Sequence, residues 1–396
     1  MNIYSDVNKV KMMNETALIY LSDSYFPFGT AYASRVLHIC KAFQMIRCDT
    51  YVLADHTKEQ LDRGNYGIHE NINYYIIEYS SLKEKYKITC DYIDSIKVRY
   101  SKVVIVLGAH DTYRYHRIIQ RYESRNTRVV LECCEWYDIS SFKLRNIDPR
   151  YWSFNYSIKH IYPHSKYTIS ISKYLTQYFK ALNSDACVIR VPTILDVSNI
   201  DYNIIDNNST IRIMFAGILG KGKKETFSNF LTALSYYDEY VPLEIAIFGG
   251  SIENLRFNLG DNQKILDKII VPIKCYGVVD QNQIELEYKK SDYSIIFRPD
   301  RRSSHAGFPT KLAESMAAGT PVIANDTGDI GAIIDDGKNG FICENNSYAI
   351  KECLDRILKL SNEEKKNIRR NARAYAEEHF DYKNYLSELE LILEGF

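Results

Sequence analysis

Short apolar, β-branched runs alternate with longer amphipathic stretches along most of this chain. That pattern belongs to repeated strand–helix–strand units and parallel sheets. In the first half it predicts strands over Ala17–Leu21, Thr50–Leu53, Val103–Leu107, Val129–Leu131, Thr168–Ile171 and Cys187–Arg190, with helices such as Ala33–Met45 and Thr176–Leu182 between them. The stretch 197–210, with the polar cluster Asp206–Thr210, reads as a linker. A second series then opens: a strand at Ile211–Ala216, a helix at Glu225–Tyr236, strands at Leu243–Phe248 and Tyr293–Phe297, a helix from Pro309, and a strand at Pro321–Ala324. The restart predicts two doubly wound α/β domains, 1–200 and 211–380, with the carboxyl ends of their strands facing a central cleft. Residues 380–396, including an amphipathic closing helix over Tyr382–Leu393, are expected to pack back on the first domain.

Composition narrows the class. The 396 residues exceed one ordinary core, and 45% hydrophobic with 25% charged residues is globular rather than disordered or fibrous. Lysine plus arginine and aspartate plus glutamate balance at 50 each, so no global field attracts nucleic acid, and no nucleic-acid partner is expected. No run is long and apolar enough to span a bilayer, and the first residues carry no secretory apolar region; a cytoplasmic enzyme is expected. The nine cysteines are scattered without a C-x-x-C pair, which suggests neither a zinc site nor a disulfide framework. The 33 tyrosines against 16 phenylalanines have no functional account.

The chemistry concentrates after the strands. In RPDRRSSHAGFPTKLAESMAAGTPVIAN (298–325), a strand runs into a glycine-containing loop, and Pro309 stands where a helix begins, preorganised for its first position. The amino end of that helix is a ready anion site. Glu314, about one and a half turns in, can accept two ribose hydroxyl protons; an ordinary i, i+3 pair with Lys311 is the alternative. A second segment, FAGILGKGKKE (215–225), follows the first strand of the second series. Gly217, Gly220 and Gly222 permit close approach of backbone to phosphate, and Lys221, Lys223 and Lys224 supply charge. The spacing nearly matches a P-loop, but Lys224 stands where the Mg²⁺-binding Ser/Thr belongs.

The segment FPTKLAESMAAGTPVIANDTGDIGAIIDDGKNGF resembles the donor-binding signature of retaining GT-B glycosyltransferases of family four. The resemblance implies a GT-B fold of two Rossmann-like domains that moves a sugar from a UDP- or GDP-sugar to a glycan or lipid-linked acceptor, in surface polysaccharide or glycolipid synthesis. Glu314 matches the carboxylate that holds the ribose, and Arg298, Gly307, Phe308, Pro309, Thr310 and Lys311 lie on the same segment as donor-binding candidates. The family's earlier glutamate, eight positions before, is Ala306 here. In the first loop Ile218 replaces the family's arginine next to Gly217, leaving Lys223 or Lys224 for the diphosphate. Gly29 and Thr30, in FPFGTAYASR, match the family's glycine loop where the first domain meets donor and acceptor.

Two further candidates are catalytic. His110 ends a buried strand and resembles a cleft histidine of some relatives; Glu135, or Asp138 beside it, is placed to orient an acceptor hydroxyl. Arg114, Arg117, Arg121 and Arg125 fall on one stripe of a predicted helix, Tyr113–Arg125, beside an apolar face. That is either a solvated face or a contact with an anionic membrane surface, at its inner side, or with a lipid-pyrophosphate acceptor. Asp335-Asp336 reads as a turn, so no metal site and no required cofactor is expected, the nucleotide sugar being a substrate. A nucleotide-sugar epimerase of the same fold, or a non-catalytic nucleotide- or glycan-binding relative, are the competing readings.

Overall fold

The computed structural model describes residues 14–22, 24–27, 30–55, 64–108, 112–142, 144–202, 210–217 and 226–396. Among them, the first eight strands form one sheet in the order β3-β4-β2-β1-β5-β6-β7-β8: β1 (Thr16–Leu21), β2 (Cys48–Asp55), β3 (Tyr66–His69), β4 (Ile72–Ile77), β5 (Lys102–Leu107), β6 (Thr127–Cys133), β7 (Tyr167–Ser170) and β8 (Cys187–Arg190). All pairs are parallel except the edge hairpin β3–β4. Six more strands form a second, fully parallel sheet in the order β11-β10-β9-β12-β13-β14: β9 (Ile211–Ala216), β10 (Leu243–Phe248), β11 (Ile273–Cys275), β12 (Tyr293–Ile296), β13 (Val322–Ala324) and β14 (Gly340–Ile342). Renumbered from β9, this order is 3-2-1-4-5-6, that of a dinucleotide-binding Rossmann sheet.

The order fixes where ligands go. It reverses between β1 and β5 in the first sheet and between β9 and β12 in the second, and ligands bind outside such switch points. The loops concerned begin at Ser22, Gly108, Gly217 and Phe297.

Helices start where local chemistry holds them. The hydroxyl of Thr30 accepts from Ala33 N at the head of helix Ala31–Met45. Ser172 does the same for Lys173–Leu182, and Ser361 with Glu364 forms a capping box for Asn362–His379.

The apolar core runs without a break from the first sheet, through Phe308, Leu312 and Met316, into the second domain. Another cluster joins helix Ala31–Met45 to Tyr382, Leu389 and Ile392. Arg128 donates to the carbonyls of Ile392 and Glu394 and lies over the Phe396 ring, fastening this C-terminal segment against the first sheet.

Several sequence expectations shift in detail. The predicted closing helix Tyr382–Leu393 is a 3₁₀ turn, Tyr382–Tyr385, and a short helix, Leu386–Glu390. Its backbone is diverted at the start, because Leu195 N donates to Phe380 O and Tyr382 N to Leu195 O. The helix predicted at Glu225–Tyr236 is Ser228–Leu234, since Thr226 N donates to Phe297 O. The one predicted at Tyr113–Arg125 is Thr112–Tyr122; Ser124 pairs with Thr127 in a tight bridge, which leaves Arg125 off the helix.

Candidate functional site in the interdomain cleft

Helix Thr310–Ala317 is the centre of the site. Pro309 is its N-cap in extended conformation (φ −76°, ψ 102°), one position before the first-turn place expected of it. The loop before it packs against the first domain: Ser172 Oγ donates to Ala306 O (2.7 Å), Arg302 donates to Tyr137 O (2.8 Å), and Ser303 N donates to Asp138 Oδ2 (3.2 Å). Asp329, just beyond β13, accepts from Lys173 N and pairs with Arg190 at 2.8 Å. The two domains are therefore in direct contact around the helix.

Lys311 reaches back from the helix to the β9 loop. Its ammonium lies 4.8 Å from the centroid of the Phe215 ring, and a Cβ on Gly217 would collide with Nζ. The open face of Gly217 is where the end of the Lys311 side chain lies, so two motifs nearly a hundred positions apart meet there. A cation beside a strand-end glycine loop and a helix amino end is a site for an anion such as a diphosphate.

One turn further, Glu314 is half-buried, and its Oε1 accepts from Gln281 Nε2 at 3.2 Å. Burial pushes its carboxyl up to about 7, only partly offset by Lys311. It lines a cavity of about 440 Å³ with Gln281, Glu285 and, from the first domain, Thr30, His38 and Lys41. Burial likewise lowers the His38 imidazole to about 4, so this wall is neutral at His38 near pH 7.

Phe308 and Thr310 face a second cavity, of about 320 Å³, whose first-domain wall includes Tyr32, Arg35, Glu135 and Tyr137. Glu135 Oε2 would lie 2.8 Å from a Cβ on Gly307, so its carboxylate stands at the mouth of the donor segment. Ala306, where the resembled family has a glutamate, is fully buried and presents only backbone. The structure thus gathers Thr30, Glu135, Gly217, Gly307, Phe308, Pro309, Thr310, Lys311 and Glu314 around one helix. Arg298 is buried at the end of β12, its backbone paired reciprocally with the Asn325 amide. Gly29, His110, Lys223 and Lys224 lie outside the described residues.

A group of buried polar side chains beneath the smaller cavity escaped the sequence reading. Glu132, on β6, accepts from Arg35 Nε (2.8 Å), from Tyr32 (3.0 Å) and from Tyr20. Arg35 also donates to Val191 O and Pro192 O, and Tyr32 donates to Gly108 O. Strand-end loops after β1, β5, β6 and β8 are tied together at one point. The overlooked signal was an acid inside the otherwise apolar Val129–Cys134. Among the described residues no three His, Cys, Asp or Glu side chains cluster as metal ligands.

Two Rossmann-like sheets facing each other across such a cleft define the GT-B fold. The chain resembles a sucrose-phosphate synthase from Thermosynechococcus elongatus (12% identity, TM-score 0.67, covering 95% of this chain and 98% of that one). It is equally similar to a glycosyltransferase from Rickettsia africae (16%, TM-score 0.68, 96% and 99%) and to HepE of Anabaena in complex with UDP and glucose (13%, TM-score 0.65, 96% and 100%). No curated protein matches the chain significantly in sequence. Residues 213–376 match the family model of glycosyl transferases group 1. The chain thus has the GT-B fold, and its second domain carries the stretch that matches the group 1 glycosyl transferase model.

Proposed function

We propose that the protein is a retaining enzyme of family four that moves a sugar from a UDP- or GDP-sugar to a glycan or lipid-linked acceptor in surface polysaccharide or glycolipid synthesis. The observation that carries this reading is the single helix presenting Lys311 against Gly217 and Glu314 into the cleft. In this reading Glu314 accepts from the ribose hydroxyls, and Lys311 with the helix end takes the diphosphate, aided by Lys223 or Lys224. The smaller cavity beside Phe308 and Thr310 receives the sugar. Glu135 then offers the carboxylate for sugar or acceptor hydroxyls that Ala306 does not. That HepE of Anabaena is held with UDP and glucose supports a donor of this class in the same fold.

In the reaction, the bond from the anomeric carbon to the diphosphate oxygen breaks and one to the acceptor oxygen forms. The acceptor proton passes to the departing phosphate on the same face. Charge grows on the leaving group, which is where preorganised cations act most strongly. No protein nucleophile is assigned, and the chain's own lysines, not a required metal, are given the cationic role.

Titration with UDP and GDP tests the site. One of them binds the parent, and Glu314→Ala weakens it about ten- to a hundredfold, the worth of one to two charge-assisted hydrogen bonds. Equal affinity in the variant removes Glu314 from the site. Retention is checked by the anomeric configuration of the product against that of the donor.

A further inference from the structure

Large apolar side chains stand exposed singly over most of the surface, as is usual in globular proteins. Residues 139–160 are different. Ile139, Leu144, Ile147, Trp152 and Tyr156 are all exposed, Ile147 by 72% and Trp152 by 60%. The stretch follows β6 and includes helix Pro149–Tyr156. Trp152 and Tyr156 lie one α-helical turn apart; in the π-helical turn Ser157–Ile161 that follows, Lys159 and His160 are exposed as well, and His160 packs on the Tyr156 ring. Trp152 is held in place by donating from Nε1 to Asn146 O at 2.6 Å.

The charge around these groups has one sign. Among its described residues the stretch holds Arg145, Arg150 and Lys159 against a single acid, Asp148. Asp148 is itself buried and paired with Arg150, which leaves Arg145 and Lys159 as exposed cations without an acid of their own stretch to balance them. Exposed aliphatic groups, a tryptophan and a tyrosine with polar edges, and a net positive charge match the boundary between head groups and acyl chains of an anionic bilayer. The same charge opposes the pairing of two copies face to face. The arginine stripe is a weaker candidate: Arg121 pairs with Asp94, and Arg117 stacks on Tyr86.

We propose that residues 144–160, together with Ile139, form a docking surface for an anionic lipid membrane. It adjoins the cleft directly, because Tyr137, just before it, lines the smaller cavity, and Asp138 bonds Ser303 across the domains. An acceptor carried in that membrane would enter the cleft from this side. Only that last consequence rests on the proposed transfer; the surface is tested without any donor.

The full chain is sedimented with phosphatidylglycerol/phosphatidylcholine vesicles and with phosphatidylcholine alone. It binds the anionic vesicles at least tenfold better, and 0.5 M salt removes most of the difference. The chain has two tryptophans, and Trp136 is buried, so a blue shift of emission on binding reports Trp152. Ile147→Ser, which disturbs no hydrogen bond of the protein, and Arg145→Gln with Lys159→Gln each lower binding several-fold while thermal stability and nucleotide affinity stay at parent values. No vesicle binding, or binding lost only in Arg117→Gln/Arg121→Gln, overturns the proposal. So does a dimer in solution that Ile147→Ser dissociates.

Discussion

Burial beside Gln281 and Glu285 gives Glu314 a carboxyl that ionises at about 7 instead of 4.5. Its folded-state pKa is raised, so the stability it contributes is present below 4.5 and lost as pH rises through about 7. A pair of ribose hydroxyls is held best by the ionised form, in which both oxygens accept and carry the charge. Nucleotide affinity should therefore tighten roughly tenfold between pH 6 and 8, following the carboxylate fraction, and Glu314→Gln should bind more weakly with no such slope. A parent profile flat over that range would dissociate Glu314 from the ribose. The Glu132 carboxylate raises a different expectation. Glu132→Gln strands the buried Arg35 charge, at about 3–5 kcal/mol of stability, measured by urea unfolding. The place of Glu314 on a helix at the cleft was legible because its segment carries a proline, a helix and a strand in fixed spacing. Glu132 was not, because its partners Tyr20, Tyr32 and Arg35 come from elsewhere in the chain, and only folding brings them together.

Strands buried on both faces are the most legible elements: Cys187–Arg190, Ile211–Ala216 and Leu243–Phe248 have in the structure the bounds read from their apolar runs. The hairpin Tyr66–His69/Ile72–Ile77 has half-exposed strands and no such run, and its turn uses Glu70 and Asn71 at positive φ in place of the usual asparagine–glycine. Helix Thr310–Ala317 shows how an element end supports the site. Ala318 caps it, and Gly319 follows at φ +71°, where a Cβ would also collide with the Tyr202 ring. Gly319→Ala should destabilise the second domain by about 2 kcal/mol or more, combining left-handed strain with the clash, seen as a lower melting temperature. A melting point equal to the parent's would show that Tyr202 moves freely aside.

The whole molecule is held as one body by polar groups that cross between domains. Arg373 donates to Val197 O and Ile200 O beside the linker and to Ala317 O at the end of the site helix. Arg373→Met leaves these carbonyls without their donor, and about 2–4 kcal/mol of stability should go with them in denaturant unfolding. Nucleotide affinity should fall as well, since the helix end loses its anchor; an unchanged affinity would separate that anchor from the site. The two-domain plan was readable from a pattern that stops and restarts. The faces that meet were not, because in contacts such as Ser172 Oγ with Ala306 O the acceptor is a backbone atom that every residue has. The fastening of Ile392 and Glu394 by Arg128 has a consequence for the chain's history on the ribosome. Helix Ala31–Met45 is translated early, yet Leu389 and Ile392, which pack against it, emerge after all the strands of the described residues. During synthesis the second domain is therefore finished before the first, and an apolar face stays open for most of translation, available to whatever chaperone tends the nascent chain.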